Sequence, residues 1–198
     1  MSLVRATGIA LVLLFVVTLA FGRRTDTSAP LLQIARLKTL SVSDIEALGN
    51  NSKIIPPSIG GVNLTHPSPL YGVTMYQLLH AIDADIVSTP FASGLLMVPE
   101  GTDGQALPLL VYSHYTETNR ADVPSFLNSD STALAIYFGS QGYVVMAPDY
   151  LGLGDSPGFH PYFLAEGLQA AATGTLRASV QALDQLEIDT NGDRKSVV

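Results

Sequence analysis

The sequence predicts an α/β fold, and three observations carry that prediction. Two strand-like stretches follow one another between Tyr71 and Gly101 with no helical pattern between them. From Leu107 to Leu186, strand and helix patterns then alternate, as in strands joined by crossover helices. The composition is 47% hydrophobic and only 14% charged, so the 198 residues are able to bury a core within one domain.

The first three strands are predicted from their apolar patterns. "YGVTMYQLLH" alternates between apolar and polar residues, and "FASGLLMVPEG" is a second strand that ends at Pro99 and Gly101. "LPLLVYSH", from Leu107 to His114, is a continuous apolar run, as expected of a strand buried on both faces.

Two helices come after this run, with the strand "YVVMAP" between them. "DSTALAIYFGSQG" has apolar residues at helical spacing and ends at Gly142. The second helix is predicted from about residue 164 to 186, and its apolar stripe recurs every four residues, at Leu164, Leu168, Ala172, Leu176 and Val180. Because only about a dozen residues remain after it, we expect the chain to end before the next strand of the sheet.

Residues 23–69 are poorly patterned, and we expect one short helix among them. Ser43 and Glu46 form a candidate capping box, and Gly49 is suited to the helix C-terminus. The N-terminal part of the α/β domain is therefore predicted to span residues 70–192.

Residues 1–22 have the pattern of an export signal. Arg5 precedes an apolar run from Ile9 to Phe21, with small residues at its end. As a helix this run rises about 20 Å, which is less than the roughly 30 Å of a bilayer core. We expect cleavage, a secreted or periplasmic protein, and only transient membrane contact through the signal. Arg23 and Arg24 leave open an uncleaved membrane anchor.

Three stretches together carry a resemblance to a known family. They are "SGLLMVPEG", "LVYSH" with "VPS" about ten residues on, and "SQGYVVMAPDYLGLGDSPGFHPYF". They resemble the N-terminal half of a secreted bacterial α/β-hydrolase of the secretory lipase and esterase type. The resemblance covers roughly Tyr71 to Asn191, and Ser140 to Phe163 is its most specific part. It implies a mixed, mostly parallel sheet with helices on both faces, small-molecule or lipid ester substrates, and no cofactor or metal.

In such hydrolases the loop after the third strand supplies one backbone N–H group of the oxyanion hole. The matching loop here makes His114, Tyr115 and Thr116 the candidates. Each pre-aimed donor of this kind lowers the reaction barrier by about 2.7 to 4 kcal/mol. The chain departs from the related pattern because Tyr115 stands where that pattern usually has glycine. A purely structural role for His114, as a hydrogen-bonded histidine at a strand end, stays open.

The loop "DYLGLGDSPG" is predicted to shape the wall of the site, with Asp149, Tyr150 and Gly152 as its candidate residues. Its glycines permit positive φ angles, and its aspartates are able to bind local backbone. Asp149 is also a candidate triad acid. The order in this fold is Ser, then Asp or Glu, then His, which favours the structural role.

The sequence contains no G-x-S-x-G nucleophile elbow. "FGSQG", Phe138 to Gly142, has Phe in place of the first Gly and precedes a strand, so we interpret it as a helix C-terminus. The histidines all precede the missing elbow; they are His66, His80, His114 and His160. We therefore expect no catalytic triad in this chain, which is predicted to be an inactive fragment truncated before the elbow.

Residues 193–198, "DRKSVV", are predicted to be a non-native tail. They can be back-translated as GAT CGG AAG AGC GTC GTG, which is a common sequencing-adapter sequence. The alternative is that Asp189, Asn191 and Asp193 are calcium ligands. Arg194 stands where a calcium loop needs glycine, and the chain has no distal Glu after it, so the alternative is disfavoured.

The net charge of the chain further narrows the possible functions. The net charge is −7 and Lys and Arg do not cluster, which disfavours a nucleic-acid partner. Two functions remain: a fragment of a secreted serine hydrolase that cleaves carboxylic esters, or an exported non-catalytic α/β module that binds a ligand or partner.

Overall fold

The computed structural model describes residues 31–49, 58–59, 62–63, 67–82, 91–128, 130–162 and 165–197. The predicted signal peptide and His66 lie outside these residues. Within the described ranges, no helix is both long enough and apolar enough to cross a membrane. In chain order the elements are β1 (Leu31–Leu40), α1 (Val42–Gly49), β2 (Ser58–Ile59), β3 (Val62–Asn63), β4 (Val73–Ala81), β5 (Phe91–Pro99), β6 (Leu107–Tyr112), a 3₁₀ turn (Pro124–Phe126), α2 (Asp130–Ser140), β7 (Val144–Pro148), α3 (Ala165–Gln185) and β8 (Thr190–Val197).

Six strands form one sheet in the order β1-β4-β5-β7-β6-β8, and β2 pairs with β3. The pairs β1–β4, β4–β5 and β5–β7 are antiparallel. The pairs β7–β6 and β6–β8 are parallel. The predicted α/β fold with a mixed sheet is confirmed. Of the five pairings in this described sheet three are antiparallel and two parallel, so the mostly parallel pairing that the resemblance implies is not seen among these strands.

Helices cover both faces of the sheet, as predicted. Leu95 and Met97 of β5 pack in one cluster with Ile45 of α1 and Ala135 of α2. Leu96 and its like-facing neighbours pack in a second cluster with α3. This alternation follows from the period of two along a strand, and it explains why "GLLMV" is apolar throughout.

The buried face of α3 differs from the predicted stripe. Val180 is 39% exposed, whereas the buried positions include Ala171, Thr175, Ala178 and Ala182. These positions are spaced by four, three and four residues. A strict spacing of four drifts around a helix with 3.6 residues per turn, so the predicted stripe leaves the sheet-facing side.

The N-terminal segment contains a strand that the sequence patterns do not predict. β1 pairs antiparallel with β4, with bulges between Leu31 and Gln33 and between Arg36 and Lys38. The predicted short helix is present as α1, with a different cap. Ser41 N–H donates to Asp44 Oδ2 at 2.9 Å and Asp44 N–H donates to Ser41 Oγ at 3.2 Å, in place of the predicted Ser43–Glu46 pair.

The expectation that the sheet stops before its next strand was wrong. α3 ends with Glu187 in the left-handed conformation, φ 57°, and Ile188 N–H donates to the Leu183 carbonyl at 2.9 Å. This tight end leaves room for β8 beside β6. β7 lies between β5 and β6 and is paired on both sides. The non-native origin of residues 193–198 stays a prediction.

"FGSQG" is a helix C-terminus, as predicted. Gly142 has φ +94°, and its N–H donates to the Gly139 carbonyl at 3.0 Å. Tyr143 N–H donates to the Phe138 carbonyl at 3.3 Å, and the two rings pack edge to face. These are the two hydrogen bonds and the apolar contact of a Schellman motif.

Candidate functional site

Two loops leave the same edge of the sheet, because β6 and β7 are parallel and Val111 is level with Met146. We call residues 113–123 the β6 loop and residues 149–158 the glycine loop. The carboxyl edge of parallel strands is where α/β folds place their ligand sites. The sequence candidates lie in these two loops.

His114 is the first buried residue of the β6 loop, with 5% of its surface exposed. Its Nδ1 lies 2.7 Å from the carbonyl oxygen of Tyr115, so Nδ1 donates and Nε2 carries the lone pair in the neutral ring. Nε2 is buried and has no partner among the described residues. Tyr115 and Thr116 are both exposed residues.

Asp149 is fully buried, and it is surrounded by donors. Its Oδ2 accepts hydrogen bonds from Ser93 Oγ and Ser125 Oγ, both at 2.5 Å, and its Oδ1 accepts one from Ser125 N–H at 3.0 Å. Burial raises the pKa of Asp149, and the hydrogen bonds from Ser125 and Ser93 oppose that rise. The carboxylate thus joins the glycine loop to β5 and to the 3₁₀ turn that follows the β6 loop, which supports a structural role over that of a triad acid.

Two glycines let the glycine loop pack tightly. Gly152 has φ +73°, and a Cβ there would lie 2.3 Å from His160 N. Gly154 has φ +56°, and a Cβ there would lie 2.6 Å from both Asp149 Oδ2 and Ser93 Oγ. Both positions therefore require glycine for its conformation and for its size.

Tyr150 connects the glycine loop to the β6 loop. Its ring centroid lies 4.6 Å from that of His114. Burial raises the pKa of Tyr150, and a hydrogen bond with Ser113 opposes that rise. Its φ of 68° is unusual for a residue with a side chain. Such strain persists where the surroundings hold a residue in place, and it is common at functional sites.

Sequence reasoning missed two residues of this region. Ser93 lies in the apolar strand β5, where no pattern marks it, yet its Oγ also accepts Asp155 N–H at 3.1 Å. Arg120 is an isolated cation in the β6 loop, and its guanidinium binds carbonyl groups of the glycine loop. The partners are distant in sequence, so no local signal identifies either residue.

The remaining sequence candidates do not form a catalytic pair. The histidine rings for which the structure gives hydrogen bonds contact a threonine hydroxyl or backbone carbonyl groups. His80 lies under α3 with its Nε2 2.9 Å from Thr175 Oγ1, and His160 Nδ1 donates to the Leu151 carbonyl at 2.7 Å. The backbone of Asn191 and Asp193 lies in the extended strand β8, not in the tight loop that a calcium site needs.

No protein-family model matches the sequence, and no curated protein matches it. Solved structures do. A hydrolase-like protein from Legionella pneumophila superposes with a TM-score of 0.67 at 27% identity, over 83% of this chain and 42% of its own. The rice cell wall degrading esterase LipA from Xanthomonas oryzae superposes with a TM-score of 0.66 at 27% identity, over 83% of this chain and 40% of its own.

The chain has an α/β-hydrolase-type fold. It spans about two fifths of the length of these structures, 42% and 40%. In an α/β-hydrolase the loop after the third strand of the sheet supplies one oxyanion donor, and the residue after the nucleophile supplies the other. The β6 loop follows the strand predicted to be the third, so its oxyanion role stays a prediction.

Proposed function

We propose that the chain is the N-terminal part of a secreted serine hydrolase that cleaves carboxylic esters by acyl transfer. One observation carries the proposal. β8 begins parallel to β6, with Thr190 level with Leu107. Neighbouring strands lie about 4.8 Å apart, so a native strand that continues from Thr190 along β6 would end beside the start of the β6 loop. A nucleophile elbow needs this place, next to the loop that supplies the oxyanion donors.

The residues of the chain then have distinct tasks. The elbow serine attacks the ester carbonyl carbon while a histidine takes its proton, and the carbonyl oxygen becomes an oxyanion. The amides of Tyr115 or Thr116, with that of the residue after the serine, donate to this oxyanion. The alcohol leaves with a proton from the histidine, and water then releases the acid. Serine, histidine and acidic residue all come from sequence beyond β8.

Export is part of the proposal and is supported by the sequence of residues 1–22 alone. LipA is an esterase that degrades the rice cell wall. An extracellular ester substrate is consistent with a signal peptide. The substrate class of this chain is proposed at the level of carboxylic esters.

A second candidate is an exported binding module without catalysis. Such a module needs no serine–histidine pair. The two candidates differ in the sequence they require after β8, because a binding module needs no nucleophile elbow there.

The test is to read the genomic locus through the codons of residues 190–198 and to express the continued gene. We expect a G-x-S-x-G motif within a few tens of codons and saturable hydrolysis of p-nitrophenyl butyrate. Replacing the elbow serine with alanine should abolish that hydrolysis while leaving folding intact. Native codons for residues 193–198 and then a stop codon would instead support the binding module.

A further inference from the structure

We propose that Arg120 is a positioning residue that holds the β6 loop and the glycine loop together as one unit. In this role it keeps the β6-loop amides in place for the oxyanion. The inference rests on the proposed esterase function, and it assigns Arg120 a task that requires no contact with the substrate.

Arg120 is bound to the glycine loop through both its side chain and its backbone. Its Nη1 donates to the carbonyl oxygens of Gly154 at 3.2 Å and Ser156 at 2.5 Å, and its Nη2 donates to that of Gly158 at 2.7 Å. In return, Gly154 N–H donates to the Arg120 carbonyl oxygen at 3.0 Å. Gly154 therefore binds Arg120 with both of its backbone polar groups.

Asp149 makes a second connection on the buried side of Gly154. Its carboxylate accepts the Ser125 hydroxyl and backbone N–H, and it also accepts the Ser93 hydroxyl. The absent Cβ of Gly154 is what allows this carboxylate to approach. The glycine loop is thus held from inside by Asp149 and from outside by Arg120, and both connections lead to the chain segment after β6.

The chemistry of the outer connection requires arginine. Three carbonyl groups of a curved loop converge on one planar group, which offers five N–H donors in a fixed fork. Hydrogen bonds from a charged donor are roughly twice as strong as neutral ones. A lysine ammonium at the same place is a point charge, and it is expected to satisfy the three carbonyl groups less completely.

Holding the β6 loop matters because oxyanion donors act only at the correct distance. A displacement of about 1 Å in a catalytic group costs roughly 100-fold in rate. Arg120 lies four residues after Thr116, in the same loop. If Arg120 no longer binds the glycine loop, the β6 loop loses its attachment at the end opposite to β6.

The experiment uses the protein expressed from the continued gene, with the variants R120A and R120K. R36A is the matched control, because Arg36 is also an exposed arginine that binds one neighbour, Thr39 Oγ1 at 2.6 Å, on β1. Amide hydrogen exchange is measured for peptides covering residues 113–123 and 150–158. Steady-state kinetics with p-nitrophenyl butyrate are measured in parallel.

For R120A we expect roughly tenfold faster exchange in both loops and a kcat lower by about 10- to 100-fold, with KM changed less than about twofold. Guanidinium added at a non-denaturing concentration should restore part of the R120A kcat and leave R36A unchanged. R120K should be intermediate between R120A and the wild type in both exchange rate and kcat. If R120A does not fold, R120K tests the positioning role.

Unchanged exchange of the β6 loop in R120A overturns the connection between the loops. Faster exchange with unchanged kcat overturns the positioning role. If the wild-type protein shows no esterase activity, the proposed function fails, and the exchange data still decide whether Arg120 joins the loops.

Discussion

His80 and Thr175 join the end of β4 to α3 through a contact of 2.9 Å between His80 Nε2 and Thr175 Oγ1. The imidazole is fully buried, and its Nδ1 lies 3.2 Å from the Ala81 carbonyl oxygen. A Cβ at Gly174 would lie 2.6 Å from the ring, so the glycine lets the helix approach. Burial lowers the pKa of His80 from 6.5 to about 4, and the hydrogen bond to the Ala81 carbonyl opposes this effect.

Because of the buried His80, the stability of the folded protein is expected to fall in acid. Because the pKa of His80 is lower in the folded state, the unfolded chain binds more protons between about pH 4 and 6.5. The contribution of neutral His80 is therefore fully present above the unfolded pKa of 6.5. It is lost as the pH falls to about 4, and the loss amounts to about 3 kcal/mol.

Denaturant unfolding across this pH range should show a steeper loss of stability in the wild type than in H80Q. H160Q, a substitution at a histidine that is only partly buried, is measured in parallel for comparison. Asp149 acts in the opposite sense because its pKa is raised, so the difference between variants is the decisive quantity. Equal slopes in the wild type and H80Q would contradict the prediction.

Gly154→Ala should destabilise the protein more than Gly101→Ala does. Both glycines have positive φ, +56° and +71°, so both substitutions incur the left-handed cost of about 1 kcal/mol. Only at Gly154 does the new Cβ meet neighbours, at 2.6 Å, while nothing lies within 4 Å at Gly101. The excess should be about 1 to 3 kcal/mol in the free energy of unfolding. Equal losses would show that the contact with Asp149 relaxes freely.

Thr116→Pro should reduce the turnover of the continued gene product by roughly two to three orders of magnitude, since proline removes one amide donor. Thr116→Ala keeps the amide and is the matched control, with turnover near that of the wild type. His114→Ala should reduce turnover less than Thr116→Pro. Turnover that is equal in the Pro and Ala variants would exclude the Thr116 amide as an oxyanion donor.

Purified residues 23–198 should not hydrolyse p-nitrophenyl acetate above a heat-treated control. Ser140 Oγ donates to the Tyr137 carbonyl at 2.8 Å, and Ser156 Oγ donates to the Phe91 carbonyl at 3.0 Å. Neither hydroxyl faces a histidine that could take its proton. Saturable hydrolysis that is abolished by S140A or S156A would place the nucleophile within this chain.

Mass spectrometry of exported protein should find a new N-terminus between Phe21 and Thr25, because cleavage is expected after the apolar run. Cells that express the protein with Arg5 replaced by glutamate supply a control in which export is slowed. An intact Met1 in the membrane fraction would favour the uncleaved anchor.

The strands that the sequence predicts correctly are those whose burial produces the pattern. β4, β5, β6 and β7 are mostly buried, so their apolar runs are visible without the structure. β1 is largely exposed and carries two bulges, which interrupt its alternation. β8 has the polar sequence "TNGDRKSV", so it takes its place through backbone pairing with β6. Both of these strands therefore form because of their tertiary neighbours, and no local sequence pattern predicts them.

The same division applies to the candidate site. Gly152 and Gly154 are predictable because a positive φ is a local property of the chain. The contacts of Ser93 and Arg120 join residues 56 and 38 positions apart. Such contacts depend on which strands become neighbours, and the order β5-β7-β6 is not written in any local pattern.

The bulges of β1 also affect which edge of the sheet is able to pair with further strands. Arg36 and Lys38 flank one bulge at this edge, and charged, irregular edges resist pairing with further strands. β8 forms the opposite edge of the described sheet. New strands are therefore expected to add on the β8 side only, so the β1 edge acts as a terminus and the β8 edge as the place of extension.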